Sequence, residues 1–307
     1  MKTSRVRFAL LAFAGGAVLA WMTWHSRTDI IRLLHGASSG WLIAAVLAGV
    51  ALNAVYGLLF DRILCKYSGA PHPLLNTSVF LMSQPGKYVP GKLWQAVLQS
   101  IVLGRRTRLA AVAVANIELS LVAVAHATGL GIALLFGPTS ILAVATVLAT
   151  LAVCHVLAGT SFIRRLLTAL PRLRNWLAPA DGCTSIDSSN PLPILLLNVA
   201  AMATNAIASW CLLLAANTAL STLQLQHLLA SLWLGIAASL LAIPVPAGLG
   251  IREAAMAGFG AALARDVPTT LLISIALLAR CWQLLLDVAS VAIGWLIFRC
   301  TSRTATT

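Results

Sequence analysis

Two Pro/Gly interruptions in otherwise hydrophobic sequence carry the residues best suited to chemistry. The first reads Ser83-Gln84-Pro85-Gly86-Lys87-Tyr88-Val89-Pro90-Gly91-Lys92, and the second Pro244-Val245-Pro246-Ala247-Gly248-Leu249-Gly250-Ile251-Arg252-Glu253. Pro85, Gly86, Pro90 and Gly91 break the first, and Pro246, Gly248 and Gly250 break the second. A helix that restarts after such a break presents unpaired backbone N–H groups, and Lys87, Lys92 and Arg252 add positive charge beside them. That combination binds anions. Gly86 to Leu93 comes close to a nucleotide-binding P-loop, but Leu93 stands where Ser or Thr must ligate Mg²⁺. The strand-to-helix setting of that loop is missing as well. The expected anion is therefore not a nucleotide.

Further polar residues recur at helical spacing. Lys92, Gln95 and Gln99 fall at i, i+3 and i+7. They form either a headgroup-binding face or an interfacial stripe with Lys92 snorkelling. Arg252 is placed to contact a substrate phosphate or to pair with Glu118 or Asp287, and Glu253 suits the positive end of the helix it opens. Arg280, Gln283 and Asp287 share one face of the last hydrophobic segment. They read as an internal Arg–Asp bridge or as a gating or proton-coupled group. Glu118 is the lone acid of its segment, a proton or cation site or the partner of a basic residue in a broken segment. The expected substrate-binding set is Lys87, Lys92, Gln95, Arg252 and Glu253; the expected gating or ion-coupling set is Glu118, Arg280 and Asp287. The six Cys and six His are dispersed, and no nucleophile elbow, carboxylate pair or metal triad is visible. No metal, no cofactor and no catalytic activity are expected, although a membrane-embedded transferase could hide dispersed residues.

The elements that must position these residues are membrane helices. The chain is 60% hydrophobic and 9% charged, with a mean hydropathy of +0.92. Segments 8–24, 41–60, 109–136, 141–157, 193–217 and 270–298 have the length and character of spans. Segments 75–103 and 227–263 are broken, each an apolar stretch, a Pro/Gly turn and a shorter apolar stretch. They read as re-entrant hairpins or as short tilted spans. A net charge of +13 is also seen in nucleic-acid binders, but the basic residues lie in short loops, the pattern of membrane orientation. With both broken segments re-entrant and the N-terminus cytoplasmic, fourteen of the 21 Lys and Arg fall inside and three outside. Lys87, Lys92, Arg252 and Arg280 remain at membrane depth. The N-terminal segment resembles a signal peptide, and retention as a first anchor is expected. The layout is one all-α transmembrane domain: a first half (1–157), a cytoplasmic interfacial linker (158–192) and a second half (193–307). The two hairpins would enter from opposite faces, as in an inverted repeat.

Lys87-Tyr88-Val89-Pro90-Gly91-Lys92-Leu93-Trp94 and Pro246-Ala247-Gly248-Leu249-Gly250-Ile251-Arg252-Glu253-Ala254 resemble the two hallmark motifs of the lysylphosphatidylglycerol synthase transmembrane-region, or flippase-like, family. Glu118 sits where that family tends to carry a Glu. The resemblance implies broken helices and movement of a lipid between leaflets. Bifunctional members carry a soluble lysyltransferase domain after this region; here the chain stops at Thr307, so lysyl-lipid synthesis is expected to be absent. The expected function is translocation of an anionic, phosphate-bearing envelope lipid in the bacterial inner membrane, with both termini cytoplasmic. The alternative is a non-transporting membrane partner that presents lipid to a glycosyltransferase or synthase.

Overall fold

The computed structural model describes residues 27–68, 71–88, 94–104, 107–137, 139–160, 192–216, 220–242 and 250–304, together with Trp24 and Gly248. The expected first span up to residue 23, positions 161–191 of the interfacial linker, and Pro90, Gly91, Lys92 and Pro246 lie outside the described residues. The described elements are helical: α1 (Arg27–Gly36), α2 (Ser39–Ser68), α3 (Pro73–Met82), a 3₁₀ turn (Gln84–Tyr88), α4 (Trp94–Leu103), α5 (Leu109–Leu135), α6 (Ile141–Gly159), α7 (Leu192–Ala215), α8 (Thr222–Leu241), α9 (Ile251–Leu263) and α10 (Thr269–Thr304). Helices α2, α5, α6, α7, α8 and α10 are each long and apolar enough to cross a bilayer. The chain is an all-α polytopic membrane protein.

The two broken segments differ from each other. In the first, α3 and α4 have ten residues each, about 15 Å of helix and half of a roughly 30 Å hydrocarbon core. In the second, the first arm is a full span. It begins at Thr222, five residues before the hydrophobic run at 227, because Ser221 and Gln224 form a capping box. Gln226 donates its side-chain amide to the Leu134 carbonyl at the end of α5. These polar side chains start α8 rather than delay it. Only α9, at 13 residues, is too short to span.

Contacts fix the direction of each hairpin. Ser78, Leu81 and Met82 of α3 lie against Gly294 of α10, and Lys87 meets Asp287 further back along α10. Ascending residues of α3 thus meet descending residues of α10. The chain then folds back, with Gly86 against Gln95 and Ser83 bonded to Gln99. In the second hairpin, Gly235 of α8 abuts Arg252 and Met256, Ser239 abuts Gly248, and Gly260 of α9 abuts Leu272 of α10. The first hairpin therefore approaches the middle of α10 from its C-terminal end, and the second from its N-terminal end.

The base of α3 is fixed by α2. Asp61 is fully buried, and its Oδ1 accepts the His72 backbone N–H at 3.0 Å and the Asn76 side-chain amide at 2.7 Å. Pro73 occupies the first helical position, where no N–H is needed. Around it, Leu59, Phe60, Ile63 and Leu64 of α2 pack on Val79, Phe80 and Leu81. A second core joins Leu228 and Leu232 of α8, Met256 of α9 and Leu272 and Ile275 of α10.

Gly86 permits the tight return of the first hairpin. A Cβ there would fall 2.8 Å from both the Cα and the N of Gln95. Backbone cannot yield as a flexible side chain can, so Gly86→Val should destabilise the protein by about 1–3 kcal/mol through overpacking. Thermal unfolding of the purified variant in detergent reads this. An unchanged midpoint would mean that the tip is looser than described.

Candidate functional site

The site forms where the two hairpin tips meet α10. After Met82 the chain tightens. Ser83 Oγ and Gln84 Nε2 both donate to the Phe80 carbonyl, and Gly86 N–H donates to Ser83 O. Pro85, which has no N–H to continue the helix, stands exposed at this turn. The resulting 3₁₀ turn projects Lys87 and Tyr88 toward α10. Lys87 Nζ lies 2.7 Å from Asp287 Oδ1, and the Tyr88 hydroxyl donates to Asp287 Oδ2 at 2.5 Å. Gln283, one turn earlier on α10, donates to Asp287 Oδ1 at 3.3 Å. The Arg280 guanidinium stands 5.7 Å from the centre of the Tyr88 ring, in cation–π range. Asp287 is 18 residues from the start of α10 and 17 from its end, about 27 Å and 26 Å along the axis.

The second tip adds Arg252 and Glu253 from the first turn of α9. Gly250 precedes them with φ of 78°, a backbone conformation that favours glycine. Its N–H donates to Glu253 Oε2 at 3.0 Å, so Glu253 caps the helix it opens. Glu253 is fully buried and Arg252 is 4% exposed. Arg252 lies close enough to Glu253, Arg280, Asp287 and Lys87 to interact with their charges. Arg252 Nε and Nη2 and Glu253 Oε1 are buried without a hydrogen-bond partner among the described residues. Nε and Nη2 share one edge of the guanidinium, the edge that grips two oxygens of a carboxylate or phosphate in parallel. Among the described residues, three cations (Lys87, Arg252, Arg280) face two carboxylates (Glu253, Asp287), an excess of one positive charge.

A family model for the lysylphosphatidylglycerol synthase TM region matches residues 7–290. The chain belongs to that family. No curated protein and no solved structure matches it. In this lysylphosphatidylglycerol synthase TM-region protein, the two Pro/Gly motifs are far apart in sequence, and their described residues Lys87, Tyr88 and Arg252 are adjacent in space.

Most residues expected to act together do meet. Lys87, Arg252, Glu253, Arg280 and Asp287 form one cluster. Gln95 sits beside it, half-buried at the start of α4, with its backbone against Gly86. Gln99, expected on a headgroup face or at the interface, is instead buried inside the hairpin. It donates to Ser83 Oγ at 2.9 Å and accepts from the Asn116 amide at 2.6 Å. Spacing offered Arg280 as the partner of Asp287; the structure supplies Lys87 and Tyr88 from the other half of the chain.

Glu118 lies elsewhere. It is fully buried on α5 and receives Lys66 Nζ and the Tyr67 hydroxyl, each at 2.5 Å. Lys66 also donates to the Thr160 carbonyl at 3.0 Å. Its basic partner therefore comes from the end of α2, not from a broken segment. Lys66 is among the fourteen basic residues that the charge count places inside, and sequence spacing does not reveal a pair 52 residues apart. Tyr88 was missed as a site residue for the opposite reason. It lies inside the motif, but one aromatic beside a break gives no signal of its own.

Proposed function

We propose that this protein is a lipid translocase whose midplane cluster binds the anionic phosphate headgroup of an envelope lipid. The observation that carries this reading is the buried Nε/Nη2 edge of Arg252, which has no hydrogen-bond partner among the described residues and stands beside Lys87 in a cluster whose described residues carry one surplus positive charge. An arginine at such depth is costly without an anion, and a phosphodiester would neutralise the surplus. Membership of a family named for a lipid synthase supports a lipid-related role. The opposed hairpins support alternating access. Each tip would withdraw toward its own face of the membrane and open the same headgroup site to one leaflet at a time. In this reading the first hairpin is re-entrant from the cytoplasm, both termini are cytoplasmic, and the membrane is the bacterial inner membrane. Lys87, Arg252 and Gln95 line the headgroup site, Glu253 holds the helix start, and Arg280 and Asp287 gate it. No bond in the lipid is made or broken.

Reconstitution tests the assignment. Purified protein in vesicles should accelerate leaflet exchange of a fluorescent phosphatidylglycerol. The Lys87→Ala/Arg252→Ala double variant, reconstituted to the same level, should be slowed by about 100-fold or more, the loss of two charge-assisted contacts. Exchange at the parent rate in that variant would sink the site assignment.

A further inference from the structure

Asp287 occupies the position in the cluster that a ligand would be expected to take. It is an anion with two equivalent oxygens on one centre, and each oxygen is held by a donor of the first hairpin. Oδ1 receives the Lys87 ammonium at 2.7 Å and Oδ2 receives the Tyr88 hydroxyl at 2.5 Å. A phosphodiester offers the same pattern: two non-bridging oxygens sharing one negative charge. Asp287 itself is closed in, its side chain 5% exposed, while Lys87 keeps 26% of its side chain open. An incoming anion can therefore reach Lys87 from its open side while the carboxylate holds it from the buried side. On the neighbouring tip, the Arg252 edge makes no hydrogen bond to an internal anion among the described residues.

We propose that Asp287 is a tethered competitor for the headgroup: it holds Lys87 and Tyr88 when no lipid is bound, and a headgroup phosphate anchored on Arg252 displaces it. This rests on the headgroup-site reading above and adds to it how the site selects and releases its cargo. A ligand must be anionic to replace the carboxylate, so a phosphate-free lipid cannot draw Lys87 away. Since Asp287 is fixed on α10, it is always present at high local concentration and reclaims Lys87 once the phosphate begins to leave. Binding is weakened by the competitor and release is hastened by it. The first tip is thus tied to α10 without lipid and untied with it, a two-state contact that the ligand biases through its own differential interactions.

The test uses the full chain in detergent and in vesicles, with short-chain phosphatidylglycerol as the binding probe and short-chain diacylglycerol as its phosphate-free control. Asp287→Asn should bind the anionic probe roughly tenfold more tightly than the parent, as expected when a charge-assisted competitor is lost. Diacylglycerol binding should not change, and leaflet exchange should slow because release is no longer assisted. Asp287→Ser removes the carboxylate by a different route and should show the same gain. A purely structural Asp287 would make both variants bind more weakly, and that result overturns the competitor. Equal or weaker binding in both variants, with binding lost in Arg252→Ala, removes the competitor and leaves the headgroup site standing. Parental binding in Arg252→Ala overturns the headgroup site, and the competitor with it.

Discussion

Replacing Arg252 by lysine, which keeps the charge, should still cut leaflet exchange of an anionic lipid by about tenfold to 100-fold, the cost of one charge-assisted hydrogen bond of roughly 1.5–3 kcal/mol. The reason is shape. Arg252 is 4% exposed, and both donors on its Nε/Nη2 edge are buried without a hydrogen-bond partner among the described residues. A phosphate can accept from both at once in a fixed plane. A lysine ammonium is a point charge on a flexible stem, and it cannot span two oxygens with the same orientation. It is also more strongly hydrated, which raises the cost of placing it at this depth. The measurement is the initial exchange rate of a fluorescent phosphatidylglycerol in vesicles, at matched protein incorporation. Parental rates in Arg252→Lys would mean that charge alone matters and that the paired edge has no role.

The second large effect concerns stability. Lys66→Met should destabilise the protein by about 3–5 kcal/mol, because it leaves a buried carboxylate without its cation. Glu118 is fully enclosed, and among the described residues it would keep the Tyr67 hydroxyl as a donor. The reciprocal change, Glu118→Gln, should cost clearly less. Lys66 keeps 11% of its side chain open and already donates to the Thr160 carbonyl at the end of α6. Its long stem can carry the ammonium outward to water. Thermal unfolding in detergent compares the two. Equal losses, or a larger loss for Glu118→Gln, would contradict the view that the acid is trapped while the base is not.

What was legible in the sequence follows from the range of each interaction. The breaks at Pro85-Gly86 and Gly248-Leu249-Gly250 are local, and so is the charge beside them; both could be read directly. Span lengths follow from apolar runs, and five of the six long helices lie close to the segments read as spans. The sixth, α8, was read as part of a broken segment because Gln224, Gln226 and His227 make its start polar. Only the folded chain shows that two of these side chains satisfy helix ends. The partners of the acids were not legible. Asp287 meets Lys87 across 200 residues, and Glu118 meets Lys66 across 52. Asp61 gave no signal at all, since its task of closing the start of α3 belongs to tertiary structure.

Helix α10 has mechanical consequences for the whole molecule. It runs unbroken for 36 residues with no proline, about 54 Å and well beyond the hydrocarbon core. Both hairpin tips grip it between Arg280 and Asp287, near its midpoint. That grip makes the cluster a fulcrum and the helix a seesaw. A tilt of about 10° about this point would swing each end by roughly 5 Å, in opposite directions. The base of one hairpin would be drawn in as the base of the other is let out. Under the proposed function, a rigid beam pivoting at the headgroup site would keep the two gates out of phase without any further linkage between them.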